Sequence, residues 1–89
     1  MFKVAALYKF SEIDNPLEVQ ISLKKVLKKL SIYGTILVGN EGINGTIAAK
    51  DKKNLNKALI YLKNLKGFKD LDIKFSDSKK NPFIRLKIK

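Results

Sequence analysis

The sequence contains no cysteine and no histidine, and these two absences remove much of the chemistry open to a small protein. Without cysteine there is no disulfide, no thiolate nucleophile and no cysteine-based zinc or iron–sulfur site. Without histidine, the commonest general base and metal ligand is missing as well. We therefore expect that the 89-residue chain is not a complete enzyme by itself, and we expect no metal site and no cofactor in it.

Long hydrophobic runs are also missing. No stretch approaches the roughly 20 consecutive apolar residues that cross a bilayer, and the first residues lack the pattern of a secretory signal peptide. These absences predict a cytoplasmic protein with no membrane partner. A chain of 89 residues buries only about 60–65% of its unfolded surface and holds one modest core, so we expect a single domain over residues 1–89.

Acidic residues are scarce, with 8 Asp and Glu against 19 Lys and Arg, for a net charge of +11. The only arginine is Arg85. Heavy use of lysine, asparagine and isoleucine is typical of an A+T-rich genome, so one interpretation is compositional bias on solvated faces. The other is an electrostatic surface for RNA, DNA or another anion.

Hydrophobic periodicity predicts five strands and two helices. The first strand, residues 2–10, is apolar on both sides, as is typical of the middle of a sheet. Asn15 and Asp51 are predicted helix caps, the first helix reaching about Leu30 and the second stopped by Gly67. The other predicted strands are residues 35–39, 43–49, 71–75 and 83–89.

This order predicts an α+β fold of the ferredoxin-like (acylphosphatase-like) class. In such a split βαβ sandwich, βαββαβ, both helices cover one face of an antiparallel sheet. The first and third strands are expected in the centre, with an extra strand at the C-terminus.

Two groups of residues are candidates for function. The first is the turn Glu41–Thr46, where Gly42 permits a positive backbone angle or the close approach of another backbone, and where Glu41, Asn44 and Thr46 supply polar groups. A hairpin connection that merely needs small residues has the same appearance.

The second group is the last strand, where Ile84, Leu86 and Ile88 alternate with the cationic Arg85, Lys87 and Lys89. The pattern predicts a half-buried strand with a cationic face that meets phosphates, together with Lys74 on a paired strand. The alternative is an edge strand that lysines protect from aggregation.

Three modules of this layout are excluded by their missing residues. An RNA-recognition motif carries aromatic residues on both central strands, and residues 43–49 contain none. Metal-carrying versions need cysteines. An acylphosphatase needs a phosphate-cradling arginine after the first strand, and residues 11–15 hold neither arginine nor glycine.

Three segments taken together resemble one bacterial family. They are Ala6–Phe10, the run from Gly34 through Glu41-Gly42-Ile43-Asn44-Gly45-Thr46 to Ala48, and Pro82–Lys89. They resemble the N-terminal domain of the rhodanese-type tRNA uridine hydroxylases, over essentially the entire chain.

The resemblance implies that the parent protein takes part in oxygen-dependent hydroxylation of the wobble uridine of certain tRNAs. It also implies that the essential cysteine lies in a rhodanese module that follows this domain. We therefore expect that the chain is a fragment, and the alternative is the product of a degraded or stand-alone gene. We expect tRNA and that rhodanese module as partners. The candidate RNA-binding residues are Glu41, Asn44, Thr46, Arg85, Lys87 and Lys89.

Two other functions stay open at the level of sequence. One is a structural domain that packs on the rhodanese module, or dimerises, without contacting RNA. Exposed apolar residues on the sheet face opposite the helices would favour it, whereas a contiguous cationic surface there would favour tRNA. The other is a small acid–base enzyme that uses Glu41 and a lysine in a pocket.

Overall fold

The computed structural model describes all residues 1–89, and its elements follow the predicted order. They are β1 (Phe2–Phe10), α1 (Pro16–Lys29), β2 (Tyr33–Gly39), β3 (Gly42–Ala49), α2 (Lys52–Lys63), β4 (Asp72–Ser78) and β5 (Leu86–Ile88). The sheet order is β4-β1-β3-β2-β5. β1 and β3 therefore lie inside the sheet, as predicted, and the ferredoxin-like class is confirmed.

Both helices begin where the sequence predicts, because their caps are local. The Asn15 side chain accepts a hydrogen bond from the backbone N–H of Glu18 at 3.2 Å, and Asp51 accepts one from Lys53 at 2.8 Å. Each satisfies a donor that the first helical turn leaves without a partner. α2 ends at Lys63, before Gly67, which adopts a φ of 89° in the turn that follows.

The core lies between the helices and one face of the sheet. It is a cluster of 17 buried residues, to which β1 contributes Ala5 and Leu7, and β3 contributes Ile43 and Ile47. Because side chains alternate along a strand, the residues between these point to the opposite side. We call that side, which no helix covers, the open face.

The C-terminal region departs from the prediction in three ways. β5 is shorter than predicted, and it pairs parallel to β2 only over Gly34–Ile36. Ile84, predicted to be half-buried, is 96% exposed, because β2 begins at Tyr33 and offers no neighbour that far back. β4 continues to Ser78, three residues past the predicted end of the strand at residue 75.

The predicted pairing of Lys74 with the cationic strand is wrong. Lys74 lies on β4, and β4 and β5 form opposite edges of the sheet with β1, β3 and β2 between them. Sequence order alone does not say on which edge an added strand docks. Lys74 therefore lies at the opposite edge of the sheet from Arg85, Lys87 and Lys89, with three strands between them.

Candidate functional site

The turn between β2 and β3 is fastened to the loop that follows β1. The backbone N–H of Ser11 donates to the Glu41 carbonyl at 3.0 Å, and that of Ile13 donates to the Asn40 carbonyl at 2.9 Å. The Asn40 side-chain amide donates to the Ile13 carbonyl at 3.1 Å. These bonds fix the backbone of the turn, from which the exposed Glu41 side chain projects at one end of the sheet.

Gly42 is required where this turn meets β1. Its φ is 148°, and a Cβ atom there would overlap the carbonyl oxygen of Lys9. Both properties that the sequence suggested for Gly42, a positive angle and a close backbone approach, are present. Asn44 lies in regular β3 and is exposed, on the opposite side from the buried Ile43.

The strand register arranges the open face in rows. One row places Tyr8 between Asp72 and Asn44, with Leu37 beyond Asn44. Lys89 extends this row and lies beside Leu37. The Lys89 N–H donates to the Ile36 carbonyl, and the Val38 N–H donates to the Lys89 carbonyl. The next row runs from Lys74 through Ala6, Thr46 and Thr35 to Lys87.

A shallow depression of about 580 Å³ lies on the open face beside the turn. Its walls include the aromatic and apolar side chains of Tyr8, Phe10 and Leu37, whose exposed fractions are 44%, 70% and 48%. The two rings pack edge to face, with centroids 5.0 Å apart and an interplanar angle of 79°. Glu41, Asn44 and Lys89 complete the lining.

A second, cationic cavity of about 390 Å³ lies where the end of α1 approaches β5. Lys24, Lys28 and Arg85 line it, together with Ser31 and the aromatic Tyr33. No acidic residue lines it. Arg85 directly precedes β5, Lys87 lies within it and Lys89 directly follows it, so these cations and those of α1 lie along one side of the molecule. We call Lys24, Lys28, Arg85, Lys87 and Lys89 the cationic edge.

The predicted site residues thus separate into neighbouring groups. Glu41, Asn44 and Lys89 meet in the aromatic depression, whereas Arg85 lies in the cationic cavity. Thr46 lines a further depression of about 500 Å³, which it shares with Asn44 and Lys74. Lys87 lies across β2 from Thr46, beside Thr35.

Sequence reasoning missed five residues of these surfaces. The β1 pattern placed Tyr8 and Phe10 on one side, but their accessibility depended on which face the helices cover. Lys24 and Lys28 are spaced i, i+4 in the sequence, which puts them on one side of α1. Leu37 looked like an ordinary core residue of a strand that is apolar throughout.

No ionisable side chain on the open face or on the cationic edge takes part in an ion pair. The only ion pair joins Lys3 and Asp77 at 2.8 Å, near the β4 edge. No group of three or more carboxylates gathers as a metal site would require, and no helix is long and apolar enough to span a membrane. A depression does lie beside Glu41, with Lys89 in its lining, so acid–base chemistry there stays an untested prediction.

A comparison with protein families decides the affiliation. The family model described as the UPF0176 acylphosphatase like domain matches residues 2–89. The chain belongs to this family.

Relatives of the UPF0176 domain include curated proteins named tRNA uridine(34) hydroxylase. The one from Acinetobacter baumannii (strain AYE) is 40% identical over 86 residues, covering 97% of this chain and 27% of the relative. The one from Caulobacter vibrioides (strain NA1000 / CB15N) is 36% identical and covers 99% of this chain and 28% of the relative. The one from Roseobacter denitrificans is 34% identical and covers 100% of this chain and 30% of the relative. The UPF0176 domain therefore spans less than a third of these proteins, and the resemblance to the hydroxylase family is confirmed.

Among solved structures, an acylphosphatase from Bacillus subtilis superposes on the UPF0176 domain with a TM-score of 0.72. The match covers 99% of this chain and 98% of the acylphosphatase at 15% sequence identity. At that identity the likeness shows the fold alone. The shared fold agrees with the acylphosphatase-like layout predicted from the sequence. The loop after β1 nevertheless lacks the arginine that an acylphosphatase needs.

Proposed function

We propose that this domain is the accessory, tRNA-binding part of a cytoplasmic tRNA wobble-uridine hydroxylase, and that it holds tRNA against a rhodanese module of the same parent chain. The names of the relatives support the substrate. The absence of cysteine supports an accessory role, because the resemblance assigns the essential cysteine to the rhodanese module.

The observation that carries the proposal is the cationic edge. Net charge alone does not distinguish a binding surface from compositional bias, whereas a local cluster of cations favours a binding surface. Near the β4 edge, lysines are mixed with Asp70, Asp72 and Asp77, and one pair forms an ion pair. Along β5 and the end of α1 no carboxylate lies within ion-pair distance of a cation. Unpaired cations on one side of a molecule attract polyanions.

The residues of the cationic edge suit a phosphate backbone in different ways. Arg85 presents a planar guanidinium, which can donate two parallel hydrogen bonds to one phosphate. Lys87 and Lys89 follow at alternate positions of the strand, so their Cα atoms are about 6.6–6.8 Å apart. Lys24 and Lys28 approach from the helix. We expect these residues to position tRNA without reading its sequence.

Fluorescence anisotropy with labelled tRNA over a series of salt concentrations tests the proposal. Each phosphate contact contributes about 0.7–0.9 to the slope of log affinity against log salt. We expect Arg85→Ala and Lys87→Ala each to weaken binding and to lower the slope by roughly that amount. Lys63→Ala is the matched control, because Lys63 lines a cavity with β4 residues on the far side of the sheet.

Two results would contradict tRNA binding by the cationic edge. The first is no measurable affinity for tRNA at low salt. The second is a loss in Arg85→Ala and Lys87→Ala that is no larger than in Lys63→Ala, since the affinity would then follow total charge instead of its position.

One observation favours the alternative of a structural domain. Tyr8, Phe10 and Leu37 expose apolar surface on the open face, which is the feature expected of a face that packs on the rhodanese module. Titration of the separately produced module distinguishes the two functions. Binding of the module that is insensitive to salt, combined with no affinity for tRNA, would establish the structural role.

A further inference from the structure

We propose that the aromatic depression beside the Glu41–Thr46 turn is a binding site for an unpaired nucleobase, stacked on Tyr8 and Phe10. This inference rests on RNA as the ligand in the proposed function and names the part of the RNA that the open face recognises. The cationic edge would hold the backbone, and the depression would hold one base.

The two rings are available for stacking and are held by rigid structure. β1 is paired with β3 as far as Phe10 and with β4 as far as Tyr8, so the backbone of both residues is already ordered before binding. Their edge-to-face packing further limits how each ring can turn. Aromatic side chains on an open sheet face are platforms on which unpaired bases stack.

The polar groups around the rings match the edges of a base. Asn44 lies directly beside Tyr8 in the β1–β3 register, and its amide makes no hydrogen bond within the chain. An amide can both donate to and accept from the Watson–Crick edge of a base. Glu41, also in the lining, is an acceptor for the amino group of a base.

The charge of the surroundings favours a nucleotide over an apolar peptide. Lys89 lines the depression itself, and Lys87 lies in the adjacent row. A base stacked in the depression therefore has cations within reach of its phosphates. A fully apolar partner would leave Glu41 and Lys89 without counter-charges, whereas a nucleotide places an anion beside Lys89 and hydrogen-bond donors beside Glu41.

The site would select single strands. In a duplex, both faces of each base are covered by stacking and the Watson–Crick edge is already paired. Only a base in a loop or an unpaired segment presents a free face and a free edge at the same time.

The test compares a labelled, unstructured single-stranded RNA with the same strand annealed to its complement. Phe10→Ala and Tyr8→Ala should each weaken single-strand binding about 5- to 150-fold, the range for removal of one stacking residue. Duplex binding should change much less. Phe10→Leu keeps the apolar bulk without the ring and should also bind weakly, whereas Tyr8→Phe should bind normally.

Phe75→Ala is the matched control. Phe75 is similarly exposed, at 62%, but it is paired with Ala5, whose side chain faces the helices, and it lies at the opposite edge of the sheet from β5. Its removal should leave affinity for either RNA unchanged. Thermal unfolding of each variant, followed by circular dichroism, shows whether a loss of binding reflects a loss of folded protein.

The salt series separates the two parts of the surface. Loss of a stacked base lowers affinity at every salt concentration and leaves the slope unchanged, whereas Lys89→Ala should lower the slope. If single-strand affinity is indifferent to Tyr8 and Phe10 while tRNA still binds through the cationic edge, the base site is wrong and the proposed function stands. If no RNA binds, both fail. If the aromatic variants weaken binding of the rhodanese module and not of RNA, the depression is a protein interface.

Discussion

Gly42 meets two conformational requirements at once, a positive φ and a close approach to another backbone. It turns the chain with a φ of 148°, and it brings its backbone against the carbonyl of Lys9 on the neighbouring strand. The sequence predicted that glycine here permits a positive backbone angle or the close approach of another backbone. It could not identify Lys9 as the neighbour, because that contact depends on the β1–β3 register.

Replacement of this glycine should destabilise the whole fold. We expect Gly42→Ala to lower the free energy of unfolding by roughly 1–3 kcal/mol, because a strained angle and a backbone overlap act together. Urea denaturation followed by circular dichroism measures the change. Gly39→Ala in the same hairpin is the control, since a Cβ atom there meets nothing within 4 Å. Equal effects in the two variants would contradict this account.

At the scale of elements, the sequence predicted what is local and missed what depends on neighbours. The helix starts were correct because a cap and the N–H that it satisfies lie within three residues of each other. The extent of β5 was wrong because it is set by β2, far away along the chain. The same reason explains the wrong expectation that Ile84 is half-buried.

The connection between the turn and the loop after β1 is a second element-scale feature that sequence could not show. Asn40→Ala removes the donor that satisfies the Ile13 carbonyl, and we expect it to lower the free energy of unfolding by about 1–2 kcal/mol. Asn56→Ala, at an exposed position of α2, should be neutral or slightly stabilising because alanine favours helix. Chemical denaturation of both variants checks this, and a neutral Asn40→Ala would show that water replaces the bond at no cost.

At the scale of the whole molecule, the sheet order determines which charges act together. The sequence supplied the number of cations and the correct fold class, and it placed Arg85, Lys87 and Lys89 on one strand. It could not show that Lys24 and Lys28 lie near them, or that Lys74 lies at the opposite edge of the sheet. Both facts follow from the docking of β5 beside β2. Glu41 and Asn44 line a depression on the open face, but the aromatic rings beside them emerged only when the uncovered face of the sheet was known.

The docking of β5 at the edge also means that stability is uneven across the sheet. β5 has one neighbour and three residues, so it should open locally at a lower free energy than β1 and β3. The amides of Gly34 and Val38 donate to the carbonyls of Arg85 and Lys89, so they lose their protection whenever β5 detaches. Hydrogen–deuterium exchange should be faster at these two amides than along β1 and β3, and uniform exchange across the sheet would contradict this.

It follows that the local opening of β5 should depend on whether RNA is bound to its cations. An RNA that binds Arg85, Lys87 and Lys89 binds only the closed form of β5, and therefore shifts the local opening equilibrium toward closure. Exchange at Gly34 and Val38 should then slow as occupancy rises, although both residues are buried. Exchange at these two amides of β2 would therefore measure RNA binding without any label on the RNA.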